Sequence, residues 1–315
     1  MNTTKHHRVI REFQDRQTKR SQVNSLPVDF IGSQINPSFA SARSRIEIVS
    51  GPPPFDDEYF EWLDILISVA EAKGGFVFVE LGAGFGRWTV RAFKAASQRH
   101  LGFRAALVEG EPVHAKWARE HLLTNGVTNC VVHECVVGIT NLPTMFIVEK
   151  LDKSFHDAPN DWYGQTVSWF QERGQQTGRL YEGRPLFDSG HGWGMIEVPA
   201  KRLEEILEPF QAVDLIDMDI QGTEVDLIEQ NIGLLGKKVR RVHIATHGPE
   251  IETRIRTTMA TAGWFKEWDF PCQSKTETPY GVIDFVDGVQ TWRNPQAGPA
   301  RSILSKIAKL IPWAR

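Results

Sequence analysis

A short apolar run followed by a glycine-rich loop constrains the fold of this chain more than any other feature. Residues 76–79 (FVFV) are wholly apolar, and the loop 82–86 (GAGFG) leads from them into a helical pattern. An apolar run without alternation is typical of a strand buried on both faces of a parallel sheet. Glycines lack a Cβ, so the loop can turn tightly and lie against a ligand at the helix N-terminus. We therefore predict an α/β fold with a cofactor loop here.

Alternating strand and helix patterns extend this prediction along the chain. Helical patterns separate further expected strands at residues 105–108, 131–132, 214–218, 239–245, 265–270 and 282–286. Repeated strand–helix units build a mostly parallel central sheet with helices on both faces. We predict such a Rossmann-like domain over residues 55–290.

Three segments lie outside this pattern. Residues 1–54 are predicted to be an N-terminal extension that begins with mixed, mainly basic charge. Residues 141–200, approximately, are predicted to be an inserted substrate-cover region, part helix and part loop. Residues 291–315 form a C-terminal tail, and its part 301–315 has an apolar helical face. This face could contact the core, another subunit of a homo-oligomer, or a membrane surface.

The composition argues against several classes of protein. A formal net charge of -3 gives no global reason to expect a nucleic-acid partner. Cys130, Cys135 and Cys272 lack metal-ligand spacing, which favours reduced thiols. No apolar run approaches the roughly 20 residues that cross a bilayer, and the first 20 residues contain no signal-like apolar segment. We therefore expect a cytoplasmic protein.

Residues beside the glycine loop narrow the class of cofactor. Arg87 occupies the position where a dinucleotide fingerprint has its third glycine, and Glu80 precedes the loop. A carboxylate there disfavours a phosphate but suits a ligand that carries an ammonium group. Glu109 ends the second strand, where a carboxylate can accept hydrogen bonds from ribose hydroxyls. A nicotinamide-dependent oxidoreductase and a non-catalytic cofactor-binding scaffold remain the alternatives.

Three blocks of the sequence resemble the FkbM family of methyltransferases: residues 78–89 (FVELGAGFGRWT), 108–129 and 213–224 (VDLIDMDIQGTE). The last block is similar to the family's DLIKIDVEGAE. Asp217 stands where the family usually has Lys, Gln221 where it has Glu, and Thr246-His247 retains only the His of a common E-x-H pattern. The resemblance covers about residues 60–140 and 200–285. It implies a class I methyltransferase fold, S-adenosylmethionine as cofactor, and methylation of hydroxyl oxygens on sugars or related natural products.

The resemblance also implies a cofactor pocket. Its methionine side would consist of Glu80, Gly82, Gly84 and Gly86, its ribose side of Glu109, and its adenine side of Glu134 and Cys135. Three further residues are expected to touch the cofactor: Ala83, Trp88 and Asp219.

The reaction would occur beyond the carboxyl ends of the strands. Asp219 and His247 follow the fourth and fifth strands, so either could remove a proton from the acceptor hydroxyl, and His has the better ordinary pKa of about 6.5. Asp219 also fits a Mg²⁺ position, but His247 is a poor Mg²⁺ ligand, so metal dependence is not favoured. Asp217 is expected to be structural, and Glu224 either catalytic or a favourable charge at a helix N-terminus.

The insertion supplies candidates for binding a sugar or glycan-like acceptor. His191 could reach an acceptor hydroxyl. Five aromatic residues could stack on sugar rings or simply pack the insertion onto the core: Trp162, Tyr163, Trp169, Tyr181 and Trp193.

Overall fold

The computed structural model of the 315-residue chain describes residues 5–14, 26–39, 51–151, 165–168 and 173–296. Its helices are α1 (Arg8–Gln14), α2 (Tyr59–Glu71), α3 (Arg87–Gln98), α4 (Pro112–Thr124), α5 (Leu203–Leu207), α6 (Glu224–Lys238) and α7 (Pro249–Thr261). Its strands are β1 (Gly75–Leu81), β2 (Gly102–Glu109), β3 (Cys130–Glu134), β4 (Val136–Gly138), β5 (Thr144–Lys150), β6 (Thr166–Val167), β7 (Gln175–Tyr181), β8 (Arg184–Asp188), β9 (Trp193–Val198), β10 (Ala200–Arg202), β11 (Val213–Met218), β12 (Val239–Thr246), β13 (Phe265–Phe270), β14 (Ser274–Thr278), β15 (Gly281–Phe285) and β16 (Gly288–Arg293).

Seven of these strands form the central sheet, in the order β13-β16-β12-β11-β1-β2-β3. Strands β3, β2, β1, β11 and β12 pair in parallel, and β16 is antiparallel to both of its neighbours. The order reverses between β1 and β11, so connections leave the sheet in opposite directions there and open a crevice at the carboxyl ends of the strands. The predicted Rossmann-like, mostly parallel α/β sheet is confirmed.

Helices cover both faces of the sheet. Phe76, Phe78 and Leu215 belong to the core on the side of α1, α2, α3 and α4, whereas Val79 and Ile216 belong to the core beneath α5, α6 and α7. Successive strand residues point to opposite faces, so a strand covered on both sides must be apolar throughout. This is the physical reason for the uninterrupted run in β1.

The insertion is a β structure, and the prediction that it is part helix and part loop is wrong for its described residues. Five strands form an antiparallel sheet in the order β6-β5-β9-β8-β7, while β4 and β10 pair in parallel at its base. Its apolar core joins Phe146, Leu186 and Ile196 to Val113 at the start of α4. Most of β7 is exposed and polar, so hydrophobic alternation gives little sign of this strand.

The end of the domain also differs from expectation. Residues 265–270 form a strand as predicted, but 282–286 fall largely in β15, which pairs with β14 as a hairpin outside the central sheet. The last strand of that sheet is β16, which sequence reasoning missed because its buried Gln290 and Thr291 are polar.

In the described part of the chain, no helix combines the length and the apolar character needed to cross a bilayer.

The described parts of the N-terminal extension pack against the core. Ile10 and Phe13 of α1 are fully buried, and Asp29 forms a 2.9 Å ion pair with Arg91 of α3. The predicted aromatic residues Trp162, Tyr163 and Trp169 and the predicted amphipathic segment 301–315 lie outside the described residues.

Candidate active site

A cavity of about 330 Å³ lies at the carboxyl ends of β1, β2 and β11, where the strand order reverses. The glycine loop forms one wall, and Phe146, Gln165, Thr166 and Val167 of the insertion form another. Thr166 Oγ1 donates a 3.0 Å hydrogen bond to the carbonyl of Gln221, which ties the insertion to the loop after β11. The cavity is therefore bounded by both the central domain and the inserted sheet.

The glycine loop needs its glycines because neighbouring atoms approach its backbone closely. Gly82 has φ +81°, and a Cβ there would lie 1.7 Å from the carbonyl oxygen of Asp219. Gly86, with φ +72°, would place a Cβ 2.7 Å from Leu107 Cδ1. Ala83 and Gly84 line the cavity, whereas Gly86 acts by letting α3 pack closely on β2.

Glu80 is fixed at the start of α3. Its carboxylate accepts hydrogen bonds from the backbone N–H groups of Trp88 and Thr89, at 3.3 and 2.8 Å, and from the Thr89 hydroxyl. Burial and the neighbouring Asp217 charge raise the pKa of Glu80 to about 8. Both Glu80 and Trp88 line the cavity, and the Trp88 ring also packs on Trp62.

Glu109 lies at the end of β2, as predicted. Its two oxygens accept backbone hydrogen bonds from Gly84 (2.6 Å) and Glu111 (2.7 Å). Burial raises its pKa to about 8. Cys135 lines the cavity beside Val136, whereas Glu134 forms ion pairs with Arg119 and Arg184 and is not among the cavity-lining residues.

Asp219 and His247 meet, as their positions after neighbouring strands predict; Asp219 lines the cavity, whereas His247 is not among the cavity-lining residues. His247 Nδ1 lies 2.9 Å from Glu224 Oε1, and Nε2 lies 3.3 Å from Asp219 Oδ1 and 3.8 Å from Asp287 Oδ1. Burial opposes the charged form, but Asp219 and Glu224 outweigh it and raise the pKa of His247 to about 10. The surrounding carboxylates therefore favour the protonated ring, which disfavours His247 as the general base.

The potential ligand atoms of Asp219, Glu224 and His247 lie within 4.8 Å of one another. They could therefore contact one ion. Glu224 also accepts hydrogen bonds from the backbone N–H groups of Ile220 and Gly222 at the start of α6. Its carboxylate thus supports the loop after β11 as well as the His247 ring.

The insertion residues proposed for the acceptor are placed differently. His191 lies in the exposed turn between β8 and β9 and is not among the cavity-lining residues. Tyr181 is buried, and its hydroxyl donates a 2.8 Å hydrogen bond to Glu111 Oε1. Trp193 lies beneath the Lys150 ammonium, 5.3 Å from its ring centroid. For Tyr181, packing of the insertion onto the core is the interpretation that the contacts favour.

Sequence reasoning missed several residues of the cavity wall. Glu58 and Glu61 precede or belong to α2, and Asp287 lies in the turn between β15 and β16. Asp217 was expected to face away from Asp219 and to be structural or to support the site from behind. It also lines the cavity, because residues two apart along a strand, such as Asp217 and Asp219, face the same side. The sequence shows these acidic residues, but no local spacing relates them to the glycine loop.

The wall of the cavity is strongly acidic. Among the described residues, seven carboxylates line it: Glu58, Glu61, Glu80, Glu109, Asp217, Asp219 and Asp287. Arg87 also lines it and pairs with Glu58 at 2.5 Å. Carboxylates buried without a cation favour their protonated forms, so a cationic ligand would stabilise the ionised wall. S-adenosylmethionine, which carries a sulfonium and an ammonium group, is a ligand of this charge.

Comparisons with known proteins identify the family of this chain. The model of the Methyltransferase FkbM domain matches residues 80–270. A relative from Jannaschia sp. (strain CCS1) with the name "Putative methyltransferase" is 27% identical over 283 residues, which cover 84% of this chain and 89% of the relative.

Two solved structures show similarity at low sequence identity. Precorrin-6y C5,15-methyltransferase from Geobacter metallireducens GS-15 has a TM-score of 0.42 and 12% identity, covering 86% of this chain and all of that one. Methyltransferase FkbM from Methylobacillus flagellatus KT has a TM-score of 0.40 and 13% identity, covering 70% of this chain and 44% of that one. The domain match alone spans well over half of the 315 residues, and the chain belongs to the FkbM methyltransferase family.

Proposed function

We propose that the protein is an S-adenosylmethionine-dependent O-methyltransferase that acts on a hydroxyl group of a sugar, glycan or related natural product. The observation that carries this proposal is the pair of carboxylates Asp219 and Asp287 on the wall of an acidic cavity, with the His247 ring near both. Carboxylates accept hydrogen bonds from hydroxyl groups, and several of them can bind a polyhydroxylated acceptor.

The bound cofactor would supply an electrophilic methyl group on a sulfonium. Gly82, Ala83 and Gly84 would lie against its methionine portion, and Glu80, which is fixed by the amides of α3, would face its ammonium. Glu109 would accept hydrogen bonds from the ribose hydroxyls. Cys135, with Val136 and Phe146, provides an apolar wall for the adenine ring.

On the acceptor side, Asp219 would orient the hydroxyl and accept its proton as the oxygen forms its bond to the methyl carbon. Asp219 Oδ1 accepts a 2.9 Å hydrogen bond from Gln221 Nε2 and faces His247 Nε2, so Oδ2 is the oxygen available to the acceptor. His247, protonated because its pKa is about 10, would hold Asp219 in place. It would not act as the base.

Calorimetric titration with S-adenosylhomocysteine tests the cofactor assignment. We expect the wild type to bind and Glu109→Gln to bind at least about tenfold more weakly, since one charge-assisted hydrogen bond is worth about 1.5–3 kcal/mol. Glu134→Gln, whose carboxylate pairs with Arg119 and Arg184 and is not among the cavity-lining residues, serves as the matched control and should bind with nearly wild-type affinity. Unchanged affinity in Glu109→Gln would contradict the ribose assignment.

Methyl transfer to a panel of glycosides and amines tests the reaction. Asp219→Asn should lower the rate by about 10²-fold or more, the usual contribution of a positioned base. The methylated position, located by NMR, should be an oxygen. Methylation of amines alone would reject O-methyl transfer. Cofactor binding without turnover on any member of the panel would favour the scaffold alternative.

A further inference from the structure

A row of polar side chains crosses the buried middle of the central sheet. Glu80, Asp217, His243 and Thr291 are register partners on the neighbouring strands β1, β11, β12 and β16. Register partners face the same side of a sheet, and each of the four side chains is at most 3% exposed. A core position of this kind is ordinarily apolar, so the row requires a physical reason.

Helix α2 covers this row with two further carboxylates one turn apart, Glu61 and Asp64. Asp64 Oδ2 lies 2.7 Å from His243 Nδ1 and also accepts a hydrogen bond from the Thr291 hydroxyl. Nδ1 is therefore engaged by Asp64, and Nε2 is the nitrogen of His243 that remains for another ligand. A carboxylate that fixes one imidazole nitrogen while the other binds a metal is a recurrent arrangement in metal sites.

Three of these residues can converge on one point. Glu61, Asp217 and His243 each offer one potential ligand atom, and the three atoms lie within 4.8 Å of one another. Ligands about 2.1 Å from one ion stand roughly 3–4 Å apart, so only a small contraction would be needed. Asp217 Oδ1 is buried and accepts no hydrogen bond in the described structure. A buried carboxylate oxygen without a partner is costly, and a metal ion would remove that cost.

We propose that Glu61, Asp217 and His243 bind a divalent transition-metal ion at the floor of the cavity. Two carboxylates and one imidazole suit Mn²⁺, Co²⁺ or Zn²⁺ better than Mg²⁺, which prefers oxygen ligands and retains water. Glu61 and Asp217 line the cavity, which gives the ion a route from solvent and an open coordination position. The site stands on these contacts and does not depend on which acceptor is methylated.

The charge at position 217 supports the same conclusion. Asp217 adds a negative charge beside a sheet row that already contains Glu80. An ion bound by Glu61, Asp217 and His243 would place a positive charge between these carboxylates. It would also link α2 to β11 and β12.

Co²⁺ titration of the chelator-treated full chain tests this site, because its visible absorption bands report on nitrogen and oxygen ligands. We expect one Co²⁺ per chain, displacement by Zn²⁺, and a rise in melting temperature with the metal. Glu61→Gln, whose side chain is only partly buried, should weaken Co²⁺ binding at least tenfold, and Asp217→Asn should do the same. Asp219→Asn is the matched control, because Asp219, Glu224 and His247 form the second group within the described part of the chain that could contact an ion. This variant should keep wild-type Co²⁺ affinity.

The proposal is overturned if the folded wild type binds no Co²⁺ and no Zn²⁺ at about millimolar metal. It is also overturned if Glu61→Gln and Asp217→Asn, shown to be folded by circular dichroism, bind Co²⁺ as tightly as the wild type. Loss of the bands in Asp219→Asn alone would assign the ion to the other group. Because binding is measured without cofactor or acceptor, these outcomes are separate from failure of the proposed methyl transfer.

Discussion

Two histidines of the domain differ in charge near neutral pH, although the residue type is the same. His247 is surrounded by Asp219 and Glu224, which raise its pKa to about 10 against the effect of burial. His121 is fully buried beside the rings of Phe39 and Phe85, and burial lowers its pKa to about 4. Its Nδ1 lies 3.1 Å from the carbonyl oxygen of Phe85, in the glycine loop. Neighbouring groups, rather than residue type, therefore decide which histidine carries charge near neutral pH.

The buried state of His121 predicts how stability depends on pH. The folded pKa of about 4 lies below the unfolded value of about 6.5, so the unfolded chain binds this proton first as pH falls. The contribution of His121 to the free energy of unfolding should decrease between pH 6.5 and 4, by up to roughly 3 kcal/mol at about 1.36 kcal/mol per pKa unit. His121→Gln keeps a donor for the Phe85 carbonyl but does not titrate. Urea unfolding of both proteins across this range should show a shallower pH slope in His121→Gln, and equal slopes would refute the assignment.

At the scale of secondary-structure elements, the glycine loop shows what local sequence can predict. Strands β1, β2, β11 and β12 and the helices between them follow from continuous apolar runs and helical periodicity, because parallel strands are buried on both faces. The close approach of Gly82 to the Asp219 carbonyl could not be predicted, since it depends on the pairing of β1 with β11, more than 130 residues later.

The elements that were missed share a different cause. Strand β7 is mostly exposed, and β16 buries Gln290 and Thr291, so neither shows the expected apolar pattern. Their stability comes from distant partners, as when Gln290 Nε2 donates to the carbonyl of Glu252. The candidate site divides in the same way. Four of its residues lie at or just after the ends of predictable strands and could be placed from sequence: Glu80, Glu109, Asp219 and His247. Glu58, Glu61 and Asp287 reach the cavity only through tertiary packing.

Gly82→Ala tests whether close packing fixes the glycine loop. Gly74 is the matched control, because it also has positive φ (+76°) but a Cβ at that position would meet nothing within 4 Å. Gly74→Ala should cost about 1–2 kcal/mol from backbone conformation alone. Gly82→Ala should cost more, because the loop or the Asp219 carbonyl must move, and it should also weaken S-adenosylhomocysteine binding. Equal unfolding free energies and equal affinities for the two variants would argue against this role of Gly82.

At the scale of the whole molecule, the cavity joins three parts of the chain. From the N-terminal part, Phe39 packs against Phe85 of the glycine loop with ring centroids 5.4 Å apart. The central domain supplies the strand ends, and the inserted sheet supplies Thr166 and its neighbours. Tyr181 of the insertion bonds to Glu111, whose backbone N–H in turn donates to Glu109. The inserted sheet is thereby connected to the carboxylate proposed to bind the ribose.

Tyr181→Phe tests this connection between the inserted sheet and the cofactor site. The change keeps the ring but removes the donor to Glu111, a fully buried carboxylate that also accepts from the His114 backbone N–H at 2.6 Å. We expect a loss of about 1–3 kcal/mol in the free energy of unfolding. We also expect weaker S-adenosylhomocysteine binding, because Glu111 positions Glu109.

Tyr59→Phe is the matched control for this prediction. Tyr59 is also buried, and its hydroxyl accepts a 3.0 Å hydrogen bond from the backbone N–H of His7, which directly precedes α1 and is not part of the insertion. That variant should lose stability but keep its affinity. If both variants bind the cofactor product as the wild type does, the inserted sheet packs against the domain without influencing the ribose site.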